Sequence, residues 1–164
     1  MPAVGKSFWG KAIAQAYSLQ FVDLDSYIAE QEQASIPALF AMYGEGGFRE
    51  REQKYLKQII DTAAGDVIVA SGGGTPCFAD NIQLMKNAGT VIYLDADISQ
   101  LLSNLEDSAV VRPLLKGKGD MGTHLEALLL KRKSSYEQAH FILQTKDISI
   151  ANFDKIITTC IGRH

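Results

Sequence analysis

Short apolar runs alternate with longer amphipathic stretches along this chain. The runs at 21–25, 66–74, 90–96 and 140–145 are rich in β-branched or aromatic residues, which is typical of buried strands. The stretches between and around them carry apolar residues at helical spacing. This alternation predicts an α/β domain in which helices cover both faces of a parallel sheet. Helices are predicted at 7–17, 26–33, 35–44, 48–64, 79–88, 97–106, 124–139 and 149–161.

Several helix ends carry residues with a clear local preference. Ser35 can cap the third predicted helix, Pro37 suits the first turn of that helix, and Gly44 can close it. Asp97 and Ser149 can cap two later helices in the same way. We therefore expect separate helices before and after Gly44.

The stretch at 110–123 (VVRPLLKGKGDMGT) is rich in glycine and lysine, which predicts a mobile loop. The rest of the chain contains no repeat, linker or low-complexity segment. A length of 164 residues fits one domain with a substantial core. We expect residues 1–164 to form a single domain, with the segment at 110–123 acting as its lid.

Charge and cysteine content narrow the class of protein. A net charge of −3 argues against a nucleic-acid-binding surface, which normally shows a basic excess. The two cysteines, Cys77 and Cys160, are too few for a disulfide scaffold, and neither they nor the three histidines have metal-ligand spacing. No signal peptide and no apolar segment of about 20 residues is present. The sequence thus predicts a reduced, soluble, cytoplasmic protein.

Polar or glycine residues end two of the predicted strands, where ligands of parallel sheets collect. Asp23 and Asp25 end the first strand; one could hold magnesium through water, and the other could take a proton from a substrate hydroxyl. The alternative is that they only end the strand and cap the next helix. Gly72, Gly73 and Gly74 end the second strand, and three glycines in a row suggest close approach of the backbone to a ligand. A tight turn is the other interpretation.

The tripeptide Gly5-Lys6-Ser7 is the second half of the phosphate-binding pattern G-x-x-x-x-G-K-[ST]. In such a loop the backbone N–H groups and the start of a helix hold phosphate, the lysine reaches the β- and γ-phosphates, and the hydroxyl binds Mg²⁺. A chance match is the alternative, but the predicted helix and strand-end carboxylates that follow favour the functional interpretation.

Three arginines could recognise an anionic substrate. Arg49 and Glu52 lie three apart on one helix face, so Glu52 could orient Arg49 for a paired hydrogen bond with a carboxylate. A solvent-facing ion pair is the alternative, and Arg132 with Tyr136 is equally ambiguous. Arg112 precedes a glycine-rich stretch and could be a lid arginine or only a loop charge.

Taken together, the order GKS, FVDLD, GFRERE, SGGG, RPLL and KRKSSY resembles that of shikimate kinases over essentially the whole chain. The resemblance implies a three-layer P-loop fold of the nucleoside-monophosphate-kinase type. It also implies ATP with Mg²⁺ as cofactors, and shikimate as the substrate phosphorylated on its 3-hydroxyl in aromatic amino-acid biosynthesis. The family is usually monomeric, and neither nucleic acid nor a membrane is expected as a partner.

The resemblance also implies roles for individual residues. Gly5, Lys6 and Ser7 would bind the nucleotide, with Ser7 and Asp23 at the metal and Lys6 and Arg112 stabilising the transferred phosphoryl group. Asp25 would hold shikimate and take its proton. Arg49 and Arg132 would grip its carboxylate, and Gly72, Gly73 and Gly74 would contact it through their backbone. The pocket walls are then expected from Phe40, Glu45, Phe48, Pro113 and Leu114.

The start of the chain departs from the family pattern. Members normally have an apolar strand and a first glycine ahead of this loop, and usually a glycine where this chain has Ala3. We expect Ala3 to alter the path of the loop, and we expect the sheet to lack its first central strand. We also expect Met1 to be an artificial start, with the natural chain beginning several residues upstream. Two other functions stay open: a gluconate-type small-molecule kinase, and a catalytically impaired P-loop domain that only binds ligand or partner.

Overall fold

The computed structural model describes residues 1–106 and 121–161. Within these residues helices and strands alternate, as the sequence predicts. The strands are β1 (Gln20–Asp23), β2 (Val67–Ala70), β3 (Ile92–Asp95) and β4 (Phe141–Gln144). The helices are α1 (Lys6–Tyr17), α2 (Leu24–Gln31), α3 (Ile36–Thr62), α4 (Asn81–Ala88), α5 (Ile98–Glu106), α6 (Met121–Tyr136) and α7 (Ile150–Ile161), with short 3₁₀ turns at Thr75–Cys77 and Thr145–Asp147.

The strands of the described residues form two separate parallel pairs. β1 lies beside β2, with Phe21 opposite Ile68, and β3 lies beside β4, with Leu94 opposite Leu143. The prediction of a parallel sheet is confirmed, and so is the expected gap in the middle of that sheet. A cavity of about 430 Å³, lined mainly by apolar side chains, lies at this gap and is bordered by residues of both β2 and β3.

Two clusters of buried apolar side chains hold the helices together and against the strands. One cluster joins α1, β3, α5, α6 and α7, and it includes Met1 and Val4 from the first loop. The other joins α2 to α3 around Leu24, Ile28 and Leu39, none of which is exposed. The first five residues are thus part of the packed core, because Met1 and Val4 are only 3% and 4% exposed.

The predicted helices at 35–44 and 48–64 form one bent helix, α3. Ser35 accepts a hydrogen bond from the Ala38 N–H at 3.3 Å, so the predicted cap is confirmed. Gly44 has φ 65° and ψ −176°, so the backbone leaves the helical path there and resumes it at once. This backbone conformation is open to glycine but strained for other residues, which explains why the helix bends at this position.

Several boundaries differ from the prediction, and two of these differences concern segments that the sequence assigns to the site or to the lid. The first strand ends at Asp23 and α2 begins at Leu24, so Asp25 lies in the first turn of a helix and not at a strand end. The last three residues of the segment predicted as a loop, 121–123, belong to α6. The remainder of that segment falls in 107–120, outside the described residues. None of the described helices is long and apolar enough to cross a membrane.

Candidate active site

The loop before α1 adopts the shape of an anion-binding turn. Gly5 has φ 88°, a conformation that favours glycine, and it directly precedes the first residue of α1. Lys6 curls back over the loop, and its Nζ donates a hydrogen bond to the Met1 carbonyl at 2.7 Å. The loop thus combines a helix N-terminus with a lysine, the two elements that bind phosphate in proteins.

Ala3 occupies a conformation that normally suits glycine. Its φ is 54°, in the left-handed region, where a side chain costs about 1–2 kcal/mol. The Ala3 carbonyl accepts a hydrogen bond from Asn104 Nδ2 at 2.7 Å, and Val4 next to it is buried. Ala3 thus adopts positive φ despite its side chain, and contacts with α5 and the core hold it there, whereas its expected effect on the path of the loop stays a prediction.

Ser7 and Asp23 meet at the carboxyl end of β1. The Ser7 hydroxyl donates a hydrogen bond to Asp23 Oδ2, while Asp23 Oδ1 accepts from the Ser26 N–H at 3.1 Å. Asp23 therefore caps α2, as the alternative interpretation predicts, and it faces the phosphate-type loop before α1, whereas its role at a metal stays a prediction. A hydroxyl beside a carboxylate is a set of oxygen ligands that suits Mg²⁺ when phosphate supplies further oxygens. The described residues contain no larger His, Cys, Asp and Glu cluster that could hold a metal ion.

Arg49 and Glu52 form a buried pair, so the solvent-facing alternative is wrong. Arg49 Nη1 donates to Glu52 Oε2 at 2.6 Å, and the two side chains are 9% and 0% exposed. Glu52 Oε1 accepts a second hydrogen bond from Thr75 Oγ1 at 2.5 Å. Since both carboxylate oxygens are engaged, Glu52 fixes the guanidinium in place and leaves its remaining N–H groups directed elsewhere.

Burial and charge act against each other in this pair. Burial raises the pKa of Glu52, and this effect outweighs the attraction of Arg49 and the hydrogen bond from Thr75. Burial also acts to lower the pKa of Arg49, but the Glu52 carboxylate overcomes it, so the pKa of Arg49 is raised. Arg49 therefore keeps its positive charge inside the protein.

Two aromatic rings support the Arg49 guanidinium. Phe40 and Phe48 stack with ring centroids 4.3 Å apart, and the guanidinium carbon lies 6.0 Å and 5.5 Å from their centroids. Glu45, one turn before Arg49, approaches Nη2 at 3.5 Å from an exposed position. These are three of the five residues that the resemblance implies for the pocket wall, and the structure brings all three to Arg49.

The glycines at 72–74 are packed against charged side chains. A Cβ at Gly72 would overlap Glu52 Oε1 and lie 3.2 Å from Asp25 Oδ1, and a Cβ at Gly74 would overlap the Arg49 guanidinium. A Cβ at Gly73 would lie 3.4 Å from Arg132 Nη1. None of the three has positive φ. Gly72 and Gly74 are therefore required by close approach and not by the turn itself, whereas a Cβ at Gly73 would meet only ordinary contacts.

Arg132 and Tyr136 bring the last helix turn of α6 to the same glycines. Both residues are buried, at 8% and 5% exposed, which again excludes a merely solvent-facing role. The Tyr136 hydroxyl donates a hydrogen bond to the Gly73 carbonyl at 2.7 Å. The site thus has a carboxylate, Asp25, and two guanidinium groups arranged around one short loop.

Three contributors to the site carried no clear signal in the sequence. Thr75 and Asn81 are fully buried: Thr75 bonds Glu52, and Asn81 Nδ2 donates to the Thr75 carbonyl at 2.9 Å. Tyr93 stacks on Tyr136 with ring centroids 4.9 Å apart. The position of Thr75 directly after the glycines could have marked it, whereas Asn81 and Tyr93 come from other elements and had no such marker.

Arg112, Pro113 and Leu114 lie outside the described residues. The other predicted catalytic and binding residues form two adjoining groups near the carboxyl ends of β1 and β2. Gly5, Lys6, Ser7 and Asp23 form the group suited to phosphate and a cation. Asp25, Arg49, Arg132 and the glycines at 72–74 form the group suited to a small, hydroxylated carboxylate.

Comparisons with known proteins identify the family of this chain. A family model described as "Shikimate kinase" matches residues 2–161. The shikimate kinase of Bacteroides fragilis is 39% identical over 140 residues, which span 84% of this chain and 77% of that protein. A second relative with the same name, from Phocaeicola vulgatus, is also 39% identical, over 147 residues covering 88% of this chain and 82% of its own length.

Solved structures give the same result for the fold. The crystal structure of shikimate kinase from Bacteroides thetaiotaomicron is similar with a TM-score of 0.89 and 30% identity, covering 96% of this chain and 94% of that one. The shikimate kinase of Acinetobacter baumannii, solved in complex with shikimate, is similar with a TM-score of 0.81 and 29% identity, covering 96% and 86%. The predicted P-loop, nucleoside-monophosphate-kinase-like fold class is therefore confirmed.

Proposed function

Since the chain belongs to the shikimate kinase family, we propose that it uses ATP to phosphorylate the 3-hydroxyl of shikimate. The observation that carries this proposal is the loop at 72–74, which meets Asp25, Arg49 and Arg132 within a few ångströms. Two guanidinium groups and one carboxylate match a ligand that carries a carboxylate and several hydroxyls.

Each group then has one task in the reaction. Arg49 and Arg132 bind the shikimate carboxylate through paired hydrogen bonds, and Glu52 keeps Arg49 oriented for this contact. Asp25 accepts a hydrogen bond from the reacting hydroxyl and takes its proton as the new O–P bond forms and the bond between the γ-phosphoryl group and ADP breaks. The backbone of the glycines at 72–74 lines the floor of the site, where a side chain at Gly74 would displace Arg49.

The first loop would hold the nucleotide. The N–H groups around Gly5 and the start of α1 suit the phosphates, and Lys6 exchanges its hydrogen bond with the Met1 carbonyl for one with a phosphate oxygen. Ser7 and Asp23 would hold Mg²⁺, which supplies positive charge at the phosphates when bound. Arg112, which lies outside the described residues, stays a prediction as the lid arginine that adds charge to the transferred group.

We further propose that the protein acts as a monomer in the cytoplasm. The chain has one site whose described parts all come from the same polypeptide. Its small net charge of −3 gives no sign of a nucleic-acid partner.

ADP release from Mg-ATP, measured with and without shikimate, tests the proposed function. We expect release that depends on shikimate and is not supported by gluconate. Asp25→Asn should lower turnover by about 100-fold or more, in the range typical of a lost general base, whereas the matched Asp61→Asn on the exposed face of α3 should leave it unchanged. Turnover of gluconate instead would favour the gluconate-type kinase. Binding of ATP without turnover of either compound would favour an impaired binding domain.

A further inference from the structure

We propose that Tyr136 is a positioning residue for shikimate: its hydroxyl fixes the Gly73 carbonyl and so holds the glycine loop at the correct distance from Arg132. This inference rests on the proposed function of the site. Arg132 and Tyr136 are four residues apart on α6, hence on one face of that helix. One helix turn therefore meets Gly73 from one side: the phenol bonds its carbonyl, and a Cβ added at Gly73 would lie 3.4 Å from the guanidinium.

The hydroxyl contact is short, and its donor residue is buried. Tyr136 Oη lies 2.7 Å from the Gly73 carbonyl oxygen, and the Tyr136 residue is only 5% exposed. Burial raises the pKa of Tyr136, and nearby Arg132 only partly offsets this, so the hydroxyl keeps its proton and serves as a donor. Without this donor, the Gly73 carbonyl would lose a buried hydrogen bond and the loop would lose its anchor to α6.

The ring of Tyr136 is itself held in place by β3. It stacks on Tyr93 with an interplanar angle of 26°, and Tyr93 Oη donates to Asp95 Oδ1 at 2.8 Å. Asp95 also accepts a hydrogen bond from Gln144 Nε2 on β4, at 2.7 Å. A continuous series of contacts thus runs from β4 through β3 and α6 to the glycine loop.

Tyr136 also lies at the border with the phosphate-type loop. Its hydroxyl is 3.8 Å from Met1 Sδ, and a Cβ at Gly73 would lie 3.4 Å from the Met1 carbonyl carbon. The Met1 carbonyl is the acceptor for Lys6. The shorter contact of Tyr136, however, is with Gly73 on the substrate side. Loss of the Tyr136 hydroxyl should therefore raise the KM for shikimate and change the KM for ATP much less.

The test compares Tyr136→Phe with the matched variant Tyr55→Phe. The two residues are similarly buried, at 5% and 6% exposed, and each variant removes one tyrosine hydroxyl that makes a short hydrogen bond. The Tyr55 hydroxyl donates to Glu32 Oε1 at 2.9 Å, whereas that of Tyr136 bonds the Gly73 carbonyl of the glycine loop. For Tyr136→Phe we expect the KM for shikimate to rise about three- to tenfold, the range for one neutral hydrogen bond, with KM for ATP and kcat within twofold. Tyr55→Phe should leave all three constants within twofold.

The proposal is overturned if Tyr136→Phe lowers kcat while leaving the KM for shikimate unchanged, which is the pattern of a smaller folded fraction. It is also overturned if Tyr55→Phe raises the KM for shikimate as much as Tyr136→Phe does. Shikimate binding to the ATP-free protein, measured by titration calorimetry, should weaken by the same factor as KM rises. Turnover of shikimate by the wild-type protein tests the proposed function, and the two variants test the role of Tyr136. The proposed function therefore stands even if the variants overturn the role of Tyr136.

Discussion

Replacing Arg49 by Met should leave the Glu52 carboxylate buried without a charged partner. Methionine has a similar length and can still pack on Phe40 and Phe48, but it carries no charge and donates no hydrogen bond. Glu52 is 0% exposed, and the Arg49 guanidinium at 2.6 Å is its compensating charge. The variant therefore isolates the energetic consequence of removing one partner from a buried ion pair.

The magnitude follows from the burial of the pair. Removing one partner of a buried pair typically costs about 3–5 kcal/mol, because the other charge is left uncompensated. Thr75 still donates to Glu52, so we expect the lower end, about 3 kcal/mol at pH 7. This corresponds to a more than 100-fold shift in the unfolding equilibrium and to a Tm lower by roughly 6–12 °C for a chain of this size.

The loss should depend on pH with a definite sign. Removing Arg49 removes an attraction that lowers the pKa of Glu52, so that pKa rises further above its ordinary value of 4.5. The folded state then binds the proton more tightly than the unfolded chain. Stability should therefore be close to wild type below about pH 4.5 and fall as pH rises, by at most about 1.4 kcal/mol per pH unit relative to wild type.

Urea unfolding between pH 4 and pH 7.5 measures this difference. Lys57→Met on the exposed face of α3 is the matched control and should stay within about 0.5 kcal/mol of wild type throughout. Adding Glu52→Gln to Arg49→Met should restore most of the lost stability at pH 7, since no buried charge is then left unpaired. An equal loss at pH 4 and pH 7 would refute the reasoning and assign the cost to packing of the guanidinium on the two rings.

Two glycine pairs give further predictions. Gly44→Ala should lower the unfolding free energy by about 1–3 kcal/mol, because φ is 65° at this position. The control Gly46→Ala, in open space on the same helix, should be neutral or stabilise the protein by up to about 1 kcal/mol. Thermal unfolding of both variants measures the difference, and equal effects would contradict the prediction. Gly74→Ala should raise the KM for shikimate more than about tenfold, because the new Cβ displaces Arg49 and so costs over about 1.4 kcal/mol of binding free energy. The control Gly65→Ala, with no atom within 4 Å of the new Cβ, should leave this KM unchanged. Steady-state kinetics measures both, and equal KM values would count against the proposed role of Arg49.

Local sequence patterns predicted the helices and strands of this protein well, but they did not predict its buried contacts. Ser35 and Pro37 mark a helix start through hydrogen bonds and torsion preferences that involve only nearby residues, and the structure agrees. The run FVDLD alternates like a strand and so predicts Asp25 at a strand end, but Asp23 accepts from the Ser26 N–H and α2 begins at Leu24, two residues earlier than predicted. The capping preference of aspartate thus prevailed over strand periodicity at this point.

The burial of the site residues depends on distant parts of the chain. Spacing predicts that Arg49 and Glu52 share a helix face, but that face is buried because the loop at 72–74 covers it. In the same way, Tyr136 is buried under Tyr93, which lies more than forty residues earlier on β3. A single sequence carries no direct signal for such contacts, whereas the glycines at 72–74 did indicate that something approaches the backbone closely.

The cavity between β2 and β3 affects how the protein should unfold. In the described residues no backbone ladder joins the pair β1–β2 to the pair β3–β4, and the two apolar clusters divide the helices in nearly the same way. Helix α1 and the contacts of α6 with the glycine loop therefore carry most of the coupling between the halves. The two halves should behave as distinct cooperative units with different opening free energies, so that amide exchange reports two values where a continuous sheet would give one.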